Sequence, residues 1–331
     1  MLRLIIKKTK MKAAVRSKYG SSEVLSILEI DKPIPKDDEI LIRVHACTVN
    51  RSDCHVLTGK PFLMRLFTGV SKPKRSIIGT DFAGQIEAVG STVNSFKVGD
   101  KVMGFGGGFG TGSQAQYKIL PEIKANKITV TLPNNLSYDE AAACLEGAFY
   151  AASYINHMKI NTGQKALVFG ATGAIGSAYL QILKYYGVYA TAVCSGENSA
   201  LIRSLGADKI IDYKTEDFTK DNELYDYVFD AIGRSSFAKC KRLLKKKGMF
   251  IPSNGLENIF LAPITSLLGG KKVAFIVPAY RNATLIFIKD LVEEGMFKPV
   301  IDRKYPLDKI AEAYTYVMTG EKIGNVIITM D

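Results

Sequence analysis

The sequence lacks several features that define whole classes of protein. Its 331 residues include no tryptophan, three histidines and five cysteines without a C-x-x-C pair. An odd number of such cysteines, Cys47, Cys54, Cys144, Cys194 and Cys240, favours reduced intracellular thiols over a disulfide framework. No apolar run reaches the roughly 18 to 20 residues of a membrane helix, and residues 1–10 are too short for a secretory signal. These absences predict a cytoplasmic protein without a membrane partner.

The formal net charge of +12 attracts anions, which include both nucleic acids and phosphorylated cofactors. Lysine and arginine are spread along the chain, and the local cluster at 239–247 is typical of a solvated helix face. No basic motif is interleaved with aromatic residues as in an RNA-binding sheet. A nucleic-acid partner is therefore not expected.

One stretch joins an apolar strand to a helix through spaced glycines. A dinucleotide pyrophosphate binds bare backbone N–H groups at a helix N-terminus, where peptide dipoles place about half a positive charge. Gly170 suits the tight turn, Gly173 leaves the diphosphate's approach open, and Gly176 lets the helix pack on its strand. The predicted nucleotide-binding turn consists of Gly170, Ala171, Thr172, Gly173, Ala174, Ile175 and Gly176.

Strand-like and helix-like runs alternate from this turn through residue 278. After the first strand, strands are predicted at Tyr189–Val193, Lys209–Tyr213, Tyr227–Ile232, Met249–Pro252 and Lys272–Val277, and helices at Ser177–Tyr186 and Ser235–Lys247. Asn198 is a candidate cap for the helix between the second and third strands. The alternation predicts an α/β domain with a doubly wound, parallel, six-stranded sheet and its ligand at the carboxyl ends of the strands.

The first 135 residues instead predict an antiparallel β domain with many turns. Alternation marks a strand at Glu39–Val44, and 76–90 is predicted to be a strand pair punctuated by glycine. Residues 79–90 fit G-x-D-x-x-G-x-[IV]-x-x-V-G, and 96–102 fit F-x-x-G-D-x-V. With these motifs the chain resembles the medium-chain dehydrogenase/reductase superfamily, over residues 11–331.

The resemblance implies a GroES-like catalytic domain split between 11–135 and 279–331, with a Rossmann NAD(P)-binding domain at 136–278 between the two parts. It also implies an active site in the cleft. Most members are dimers or tetramers, so a homodimer is expected.

Zinc-dependent members of the superfamily bind their metal through cysteine and histidine. The stretch from Cys47 to His55 resembles their C-G-x-C-R-S-D-x-H, but Asn50 takes the place of the ligand cysteine. Thr80 replaces the ligand histidine, and Glu146 aligns with the third ligand. Amide and hydroxyl oxygens are poor ligands for zinc, so no zinc site is expected.

Without zinc, the resemblance implies the quinone oxidoreductase (zeta-crystallin-like) branch, which passes hydride from a nicotinamide to a quinone or activated enone. In this branch an asparagine like Asn50 faces the substrate, and Asp53 braces its loop. Ser52 and His55 match the proton relay of the zinc enzymes, so water, Ser52, His55 or a tyrosine are all candidate proton donors. Glu146 is a further catalytic candidate, or it stabilises a helix N-terminus.

The end of the second predicted strand decides which nicotinamide cofactor is favoured. Neutral Cys194 and Ser195 leave room for a 2′-phosphate, and Tyr213 resembles the branch's phosphate-contacting tyrosine. Glu197 opposes a phosphate, so the sequence favours NADPH, with NADH as the alternative. The other predicted cofactor contacts are Asn198, Ile232 and Gly233.

Two other functions remain open from the sequence. One is an alcohol or aldehyde dehydrogenase of the same superfamily with another metal arrangement, which metal analysis would identify. The other is a non-enzymatic nucleotide- or RNA-binding protein like the zeta-crystallins, which would show no nucleotide-dependent turnover.

Overall fold

The structure of the protein is a computed structural model, and it describes residues 9–107, 112–255, 257–276 and 282–330. The described strands are β1 (Lys10–Val15), β2 (Ser26–Asp31), β3 (Glu39–Val49), β4 (Asp81–Val89), β5 (Lys101–Phe105), β6 (Tyr117–Pro121), β7 (Thr129–Thr131), β8 (Lys165–Phe169), β9 (Tyr189–Cys194), β10 (Lys209–Asp212), β11 (Tyr225–Asp230), β12 (Leu244–Pro252), β13 (Lys272–Val273), β14 (Ile301–Pro306) and β15 (Asn325–Thr329). The described α-helices are α1 (Arg51–Thr58), α2 (Met64–Thr68), α3 (Glu122–Ile128), α4 (Tyr138–Ala143), α5 (Glu146–His157), α6 (Ala174–Tyr185), α7 (Ser199–Ser204), α8 (Phe237–Cys240), α9 (Glu257–Leu268), α10 (Asn282–Glu293) and α11 (Ile310–Thr319).

The chain forms two compact units, which we call the β unit and the α/β unit. The β unit consists of Met1–Glu146, Tyr280–Glu293 and Ile301–Asp331, and the α/β unit of Gly147–Ala279 and Glu294–Val300. The domain boundaries predicted after residues 135 and 278 remain a prediction.

The β unit is built on a sheet in the order β14-β15-β3-β4-β5-β7, with β6 also paired to β3. Its pairs are antiparallel except β14 with β15. Ile40, Ile42 and Phe82 pack in one apolar cluster with Tyr314 of α11. The predicted antiparallel, GroES-like architecture is confirmed.

The α/β unit contains a parallel six-stranded sheet in the order β10-β9-β8-β11-β12-β13. Each neighbouring pair is parallel, so the carboxyl ends of β10, β9, β8 and β11 lie side by side at one edge of the sheet. The predicted Rossmann architecture is confirmed, and this edge carries the predicted cofactor contacts.

The helix predicted over Ser235–Lys247 is wrong beyond its first turn. Only Phe237–Cys240 is α-helical, and a 3-10 turn follows at Lys241–Leu243. The next residue, Leu244, is buried and pairs with Tyr225 of β11. Burial and strand pairing therefore outweigh the helix preference of the lysine-rich run.

Two further predictions of strands also need correction. The predicted strand pair at 76–90 is a single strand, β4, preceded by an isolated bridge between Val15 and Ile77. The adjacent residues Cys54 and His55 would point to opposite faces if they lay in a strand, but both lie in helix α1. The strand predicted over Lys272–Val277 corresponds to β13, which is Lys272–Val273. Its predicted last residue, 277, lies outside the described residues.

Candidate active site

Helix α1 begins where the long strand β3 ends, at Asn50. Asn50 has an extended backbone and occupies the N-cap position, and its N–H donates to the Asp53 carboxylate at 2.9 Å. This is one half of a capping box, in which an acidic residue three positions into the helix satisfies an N-cap donor. The predicted site residues Asn50, Ser52, Asp53 and His55 therefore share the first turns of one helix.

A second buried carboxylate, Asp81, lies at the start of β4 beside the end of β3. Its oxygens accept the Thr48 N–H at 2.8 Å and the Thr48 hydroxyl at 2.5 Å. The Asn50 side-chain amide also donates to Asp81 at 3.1 Å and to the Thr48 hydroxyl oxygen. Asn50 is therefore held by its neighbours in the β unit rather than left with a free amide.

Glu146, the first residue of α5, brings a third carboxylate to this cluster. It accepts the Ser52 hydroxyl at 2.5 Å and the Thr80 hydroxyl at 2.6 Å. Thr80 is fully buried, whereas Ser52 is half-buried. Asn50, Thr80 and Glu146, the three residues predicted to replace zinc ligands, thus lie together in a hydrogen-bonded polar cluster.

The carboxylates of this cluster are almost completely removed from water. Burial, reinforced by the neighbouring Glu146 and Asp81 carboxylates, raises the pKa of Asp53 well above its usual range. Burial raises the pKa of Asp81 to about 7 despite its bonds to Thr48 and Asn50. The Asp53 Oδ1 atom is buried and has no hydrogen-bond partner among the described residues. Nearby carboxylates out of water favour the protonated form.

Burial also raises the pKa of Glu146, against the bonds from Ser52 and Thr80 and the attraction of Lys322. The positive charge of Lys322 favours the ionised form of Glu146. Burial lowers the pKa of Lys322 to about 8, although the Glu146 charge opposes that shift, and its ammonium donates to the Gly324 carbonyl. The cluster therefore contains groups that exchange protons within the physiological range.

His55 lies in the same helix, but its ring makes a different contact. Its Nδ1 is 2.9 Å from the Lys60 carbonyl oxygen, which makes Nδ1 the protonated nitrogen in the neutral ring. Burial lowers the pKa of His55. The neutral ring is a weaker source of protons than the carboxyl groups with raised pKa values.

In the α/β unit the glycine turn has the geometry that a pyrophosphate requires. Gly170 follows β8 with a φ of 80°, which favours glycine, and a Cβ there would lie 2.5 Å from the Ile232 side chain. A Cβ at Gly176 would overlap the Gly170 carbonyl oxygen. At Gly173, the N-cap of α6, the nearest atom to such a Cβ is 3.6 Å away. The turn is therefore tightly packed at both ends and open in the middle, where a diphosphate would approach.

The other predicted cofactor residues follow the neighbouring strands at the same edge. Ser195 and Asn198 follow β9, Tyr213 follows β10, and Ile232 with Gly233 follows β11. Asp230, which is buried at the end of β11, accepts four backbone N–H groups between Ile232 and Ser235 at 2.7 to 3.3 Å. It fixes the loop that carries Ile232 and Gly233.

Glu197, which follows β9 at this edge of the sheet, is paired with neighbouring side chains. Its carboxylate accepts the Ser195 hydroxyl at 2.8 Å and is 3.2 Å from the Lys214 ammonium. The hydrogen bond from Ser195 lowers the pKa of Glu197, and the bond from Lys214 lowers it further. Lys214 follows Tyr213 directly, so a cation stands beside the predicted phosphate contact.

Comparison with known proteins places this geometry in a family. The family model for the alcohol dehydrogenase GroES-like domain matches 36–131, and that for zinc-binding dehydrogenases matches 205–328. The chloroplast envelope quinone oxidoreductase homolog of Arabidopsis thaliana is 30% identical over 96% of this chain and 98% of its own length. The chain belongs to the medium-chain dehydrogenase/reductase superfamily, in its quinone oxidoreductase branch.

Other relatives agree with this placement. A protein of Arabidopsis thaliana named NADPH-dependent alkenal/one oxidoreductase, chloroplastic, is 31% identical over 96% of this chain and 79% of its own length. The quinone oxidoreductase of Coxiella burnetii has the same fold, with a TM-score of 0.86 and 23% identity over 98% of this chain and all of its own. The protein is an NAD(P)H-dependent oxidoreductase with a nicotinamide cofactor.

The predicted cytoplasmic location is wrong. Several relatives that match the chain over nearly its whole length are named as chloroplastic, as a chloroplast envelope protein or as mitochondrial, which points to an organelle. Cysteine pairing and apolar runs report on redox state and membrane spans, but they do not distinguish the cytosol from the interior of an organelle. Within the described residues, no helix has the length and apolarity needed to cross a membrane.

Sequence reasoning missed several members of the two sites: Thr48, Asp81, Lys214, Asp230 and Lys322. Thr48 lies two positions before Asn50 in an extended stretch at the end of β3, so strand periodicity could have placed both side chains on the same side of the chain. Asp81 was visible in its motif but had no assigned role. Lys322 comes from the far end of the chain, and no local pattern marks it.

Proposed function

We propose that this protein transfers hydride from NAD(P)H to a quinone or an α,β-unsaturated carbonyl without zinc. The observation that carries the proposal is the composition of the polar cluster in the β unit, where the amide of Asn50, the hydroxyl of Thr80 and the carboxyl group of Glu146 stand at the positions predicted to replace the zinc ligands. A quinone or enone delocalises the incoming negative charge onto oxygen, and hydrogen-bond donors can stabilise it there. An unactivated aldehyde or alcohol has a greater need for a Lewis acid.

The donor set in this cluster does not fit zinc. Thr80 and Ser52 donate their hydroxyls to Glu146, and the Asn50 amide donates to Asp81. Burial raises the pKa of the nearby Cys54 thiol to about 12. Zinc prefers thiolate and imidazole ligands.

The glycine turn fits a nicotinamide dinucleotide, with Gly170 to Gly176 holding the pyrophosphate. When bound, the cofactor supplies the hydride. The open space at Gly173 and the N-terminus of the twelve-residue helix α6 favour an anion at this point. Ser195, Asn198, Tyr213, Ile232 and Gly233 would contact the remainder of the nucleotide.

Proton delivery is assigned to Ser52 and Glu146. Ser52 is half-buried and lies within hydrogen-bond distance of Glu146. When Glu146 is protonated, its carboxyl O–H can donate to the Ser52 oxygen while the Ser52 hydroxyl donates its own proton to the reduced oxygen, so Ser52 is reprotonated and Glu146 is left as a carboxylate. Asn50 and Asp53 position the start of α1, on which Ser52 lies. His55 remains an alternative donor, but burial lowers the pKa of its ring and favours the neutral form, against the bond to the Lys60 carbonyl.

NADPH is the favoured cofactor, with NADH as the alternative. The neutral residues after β9 leave space for a 2′-phosphate, and Lys214 adds a positive charge beside Tyr213. Because Lys214 pairs with Glu197, it also reduces the repulsion that Glu197 alone would exert.

A homodimer is the proposed assembly. The face of α9 leaves Phe260, Leu267 and Leu268 69%, 88% and 80% exposed, next to β13 at the edge of the parallel sheet. Such a surface favours burial against a second copy. Light scattering of the purified protein measures its mass, and a monomer at all concentrations would contradict this assembly.

The activity is tested by following NADPH and NADH oxidation with quinones, enones and saturated aldehydes, before and after exhaustive chelation. We expect quinone or enone turnover that survives chelation. Stoichiometric zinc with chelator-sensitive turnover would instead identify a metal-dependent dehydrogenase. Nucleotide binding without turnover of any acceptor would favour a non-enzymatic binder.

A further inference from the structure

The β unit exposes an apolar face in the loop of residues 60–75, which surrounds helix α2. Phe62, Leu63, Leu66, Phe67 and Val70 are between 43% and 64% exposed. Five large apolar side chains within nine residues form a continuous stretch rather than the scattered exposure that is normal on protein surfaces.

The loop is held in this conformation by contacts on its inner side. Met64 packs against the apolar core and Thr68 is buried. The Tyr19 hydroxyl donates to the Gly69 carbonyl at 2.6 Å and lies 2.8 Å from the Thr68 hydroxyl. Arg65 stacks over the Tyr19 ring at 4.6 Å and donates to the Gly59 carbonyl. The apolar side chains point outward from an anchored loop.

The same loop carries only positive charge. Lys60, Arg65, Lys72, Lys74 and Arg75 lie within it, and no aspartate or glutamate occurs between residues 54 and 80. The Lys74 N–H donates to the Thr68 carbonyl at 2.8 Å, which brings the C-terminal cations beside α2. Lys60, Lys72, Lys74 and Arg75 are exposed.

We propose that the 60–75 loop docks the protein on the surface of an anionic lipid bilayer. The apolar side chains would enter the boundary between headgroups and acyl chains, while the lysines and arginines contact lipid phosphates. This inference does not depend on the proposed function. It departs from the prediction of no membrane partner, which rested on the absence of a spanning segment that a surface-bound protein does not need.

Charge argues against the other occupants of this face. A second copy docked face to face would place the same five cations opposite one another. A nucleic acid would match the cations but would leave the apolar side chains against its phosphates. A bilayer with anionic headgroups complements both kinds of side chain at once.

The test is cosedimentation of the full chain with vesicles of phosphatidylcholine alone and of phosphatidylcholine with phosphatidylglycerol. We expect binding to the anionic vesicles that weakens as salt rises, and little binding to the neutral ones. Equal binding to both vesicles, or no binding to the anionic ones at low salt, would overturn the proposal.

Paired variants locate the binding surface. Lys72→Gln/Lys74→Gln removes two cations, and we expect about a fivefold loss of vesicle affinity for each. Phe62→Ser/Phe67→Ser should lower affinity at least tenfold through lost apolar burial. The matched control Val98→Ser/Ile123→Ser removes two apolar residues of the β unit that are 61% and 71% exposed, and it should bind as wild type.

Circular dichroism shows whether each variant is folded, and light scattering and steady-state kinetics identify other uses of the surface. If the loop variants change the oligomeric state or the KM for a quinone and leave vesicle affinity unchanged, the face serves self-association or substrate binding. Either result overturns membrane docking. An equal loss in the control pair would do the same.

Discussion

The glycine turn of the α/β unit and the carboxylate cluster of the β unit are built by opposite means. The turn consists of seven consecutive residues and presents backbone. The cluster consists of side chains from three separate parts of the chain: Thr48, Asn50, Ser52 and Asp53; Thr80 and Asp81; and Glu146. The charge of Lys322 acts on Glu146. The backbone turn is therefore sensitive to any added Cβ, whereas the side-chain cluster is sensitive to the protonation and burial of its carboxyl groups.

The first prediction tests whether the two ends of the glycine turn differ. Gly176→Val places a branched side chain on the Gly170 carbonyl, so we expect a loss of stability of roughly 4 kcal/mol or more, or no folded protein. Gly173→Val meets open space and should fold, yet it should weaken nucleotide binding at least about a hundredfold because it fills the pyrophosphate approach.

The fluorescence of reduced nicotinamide measures the binding, and the absence of tryptophan keeps protein emission low. Circular dichroism during thermal unfolding measures the stability. Wild-type affinity in folded Gly173→Val would remove the pyrophosphate from this turn.

The second prediction concerns the pH dependence of stability in the β unit. The folded-state pKa of Asp81 is raised to about 7 by burial, above the ordinary value near 4. Between these two values the folded state binds more protons than the unfolded state, so stability should fall as the pH rises. The loss attributable to Asp81 is at most about 4 kcal/mol.

Asp81→Asn should flatten this decline, as measured by urea unfolding at a series of pH values. Thr48→Val removes a donor that favours the ionised carboxylate, so the decline should extend to higher pH. The same pH dependence in Asp81→Asn and wild type would show that the Asp81 carboxyl is not the group responsible.

The third prediction concerns the proposed proton path. Glu146→Gln should lower kcat about ten- to a hundredfold, because it removes the group that returns a proton to Ser52. Since burial raises the pKa of Glu146, the protonated form persists above its ordinary range, and wild-type kcat should fall as the pH rises through that pKa. The kcat of Glu146→Gln should not show this decline with rising pH.

Ser52→Ala is the matched variant, since it removes the other half of the same hydrogen bond. Its effect and that of Glu146→Gln should not be additive if the two residues act as one path. A Glu146→Gln enzyme with the wild-type pH profile would exclude Glu146 as the proton source.

The two sites also differ in how far the sequence predicts them. The strand, glycines and helix of the turn are adjacent, so their spacing predicts both the structure and the ligand. In the cluster, Asn50 and Asp53 carry a recognisable capping spacing, but the approach of Asp81, Glu146 and Lys322 follows from sheet register and chain topology, which no local pattern encodes. The helix predicted over Ser235–Lys247 failed for the same reason, because pairing with β11 is a long-range interaction.

The smallest expected effect lies at the ribose end of the nucleotide site, where Glu197 and Lys214 are paired at 3.2 Å. Both side chains are exposed, and exposed ion pairs are weak and screened by salt. Considered alone, Glu197 should repel a 2′-phosphate strongly, but its partner offsets part of that repulsion. Glu197→Gln should therefore raise the NADPH-to-NADH affinity ratio only about two- to fivefold.

Lys214→Met should change the same ratio in the opposite direction, because it leaves Glu197 unpaired and removes the nearby cation. Fluorescence titration with both nucleotides at low and high salt measures the ratio, and salt should reduce both effects. Lys220→Met, at another exposed lysine of the α/β unit, is the control and should bind both nucleotides as wild type. If Glu197→Gln instead weakens NADH binding alone, Glu197 hydrogen-bonds the ribose hydroxyls, and the site favours NADH through the carboxylate that is characteristic of NAD-binding proteins.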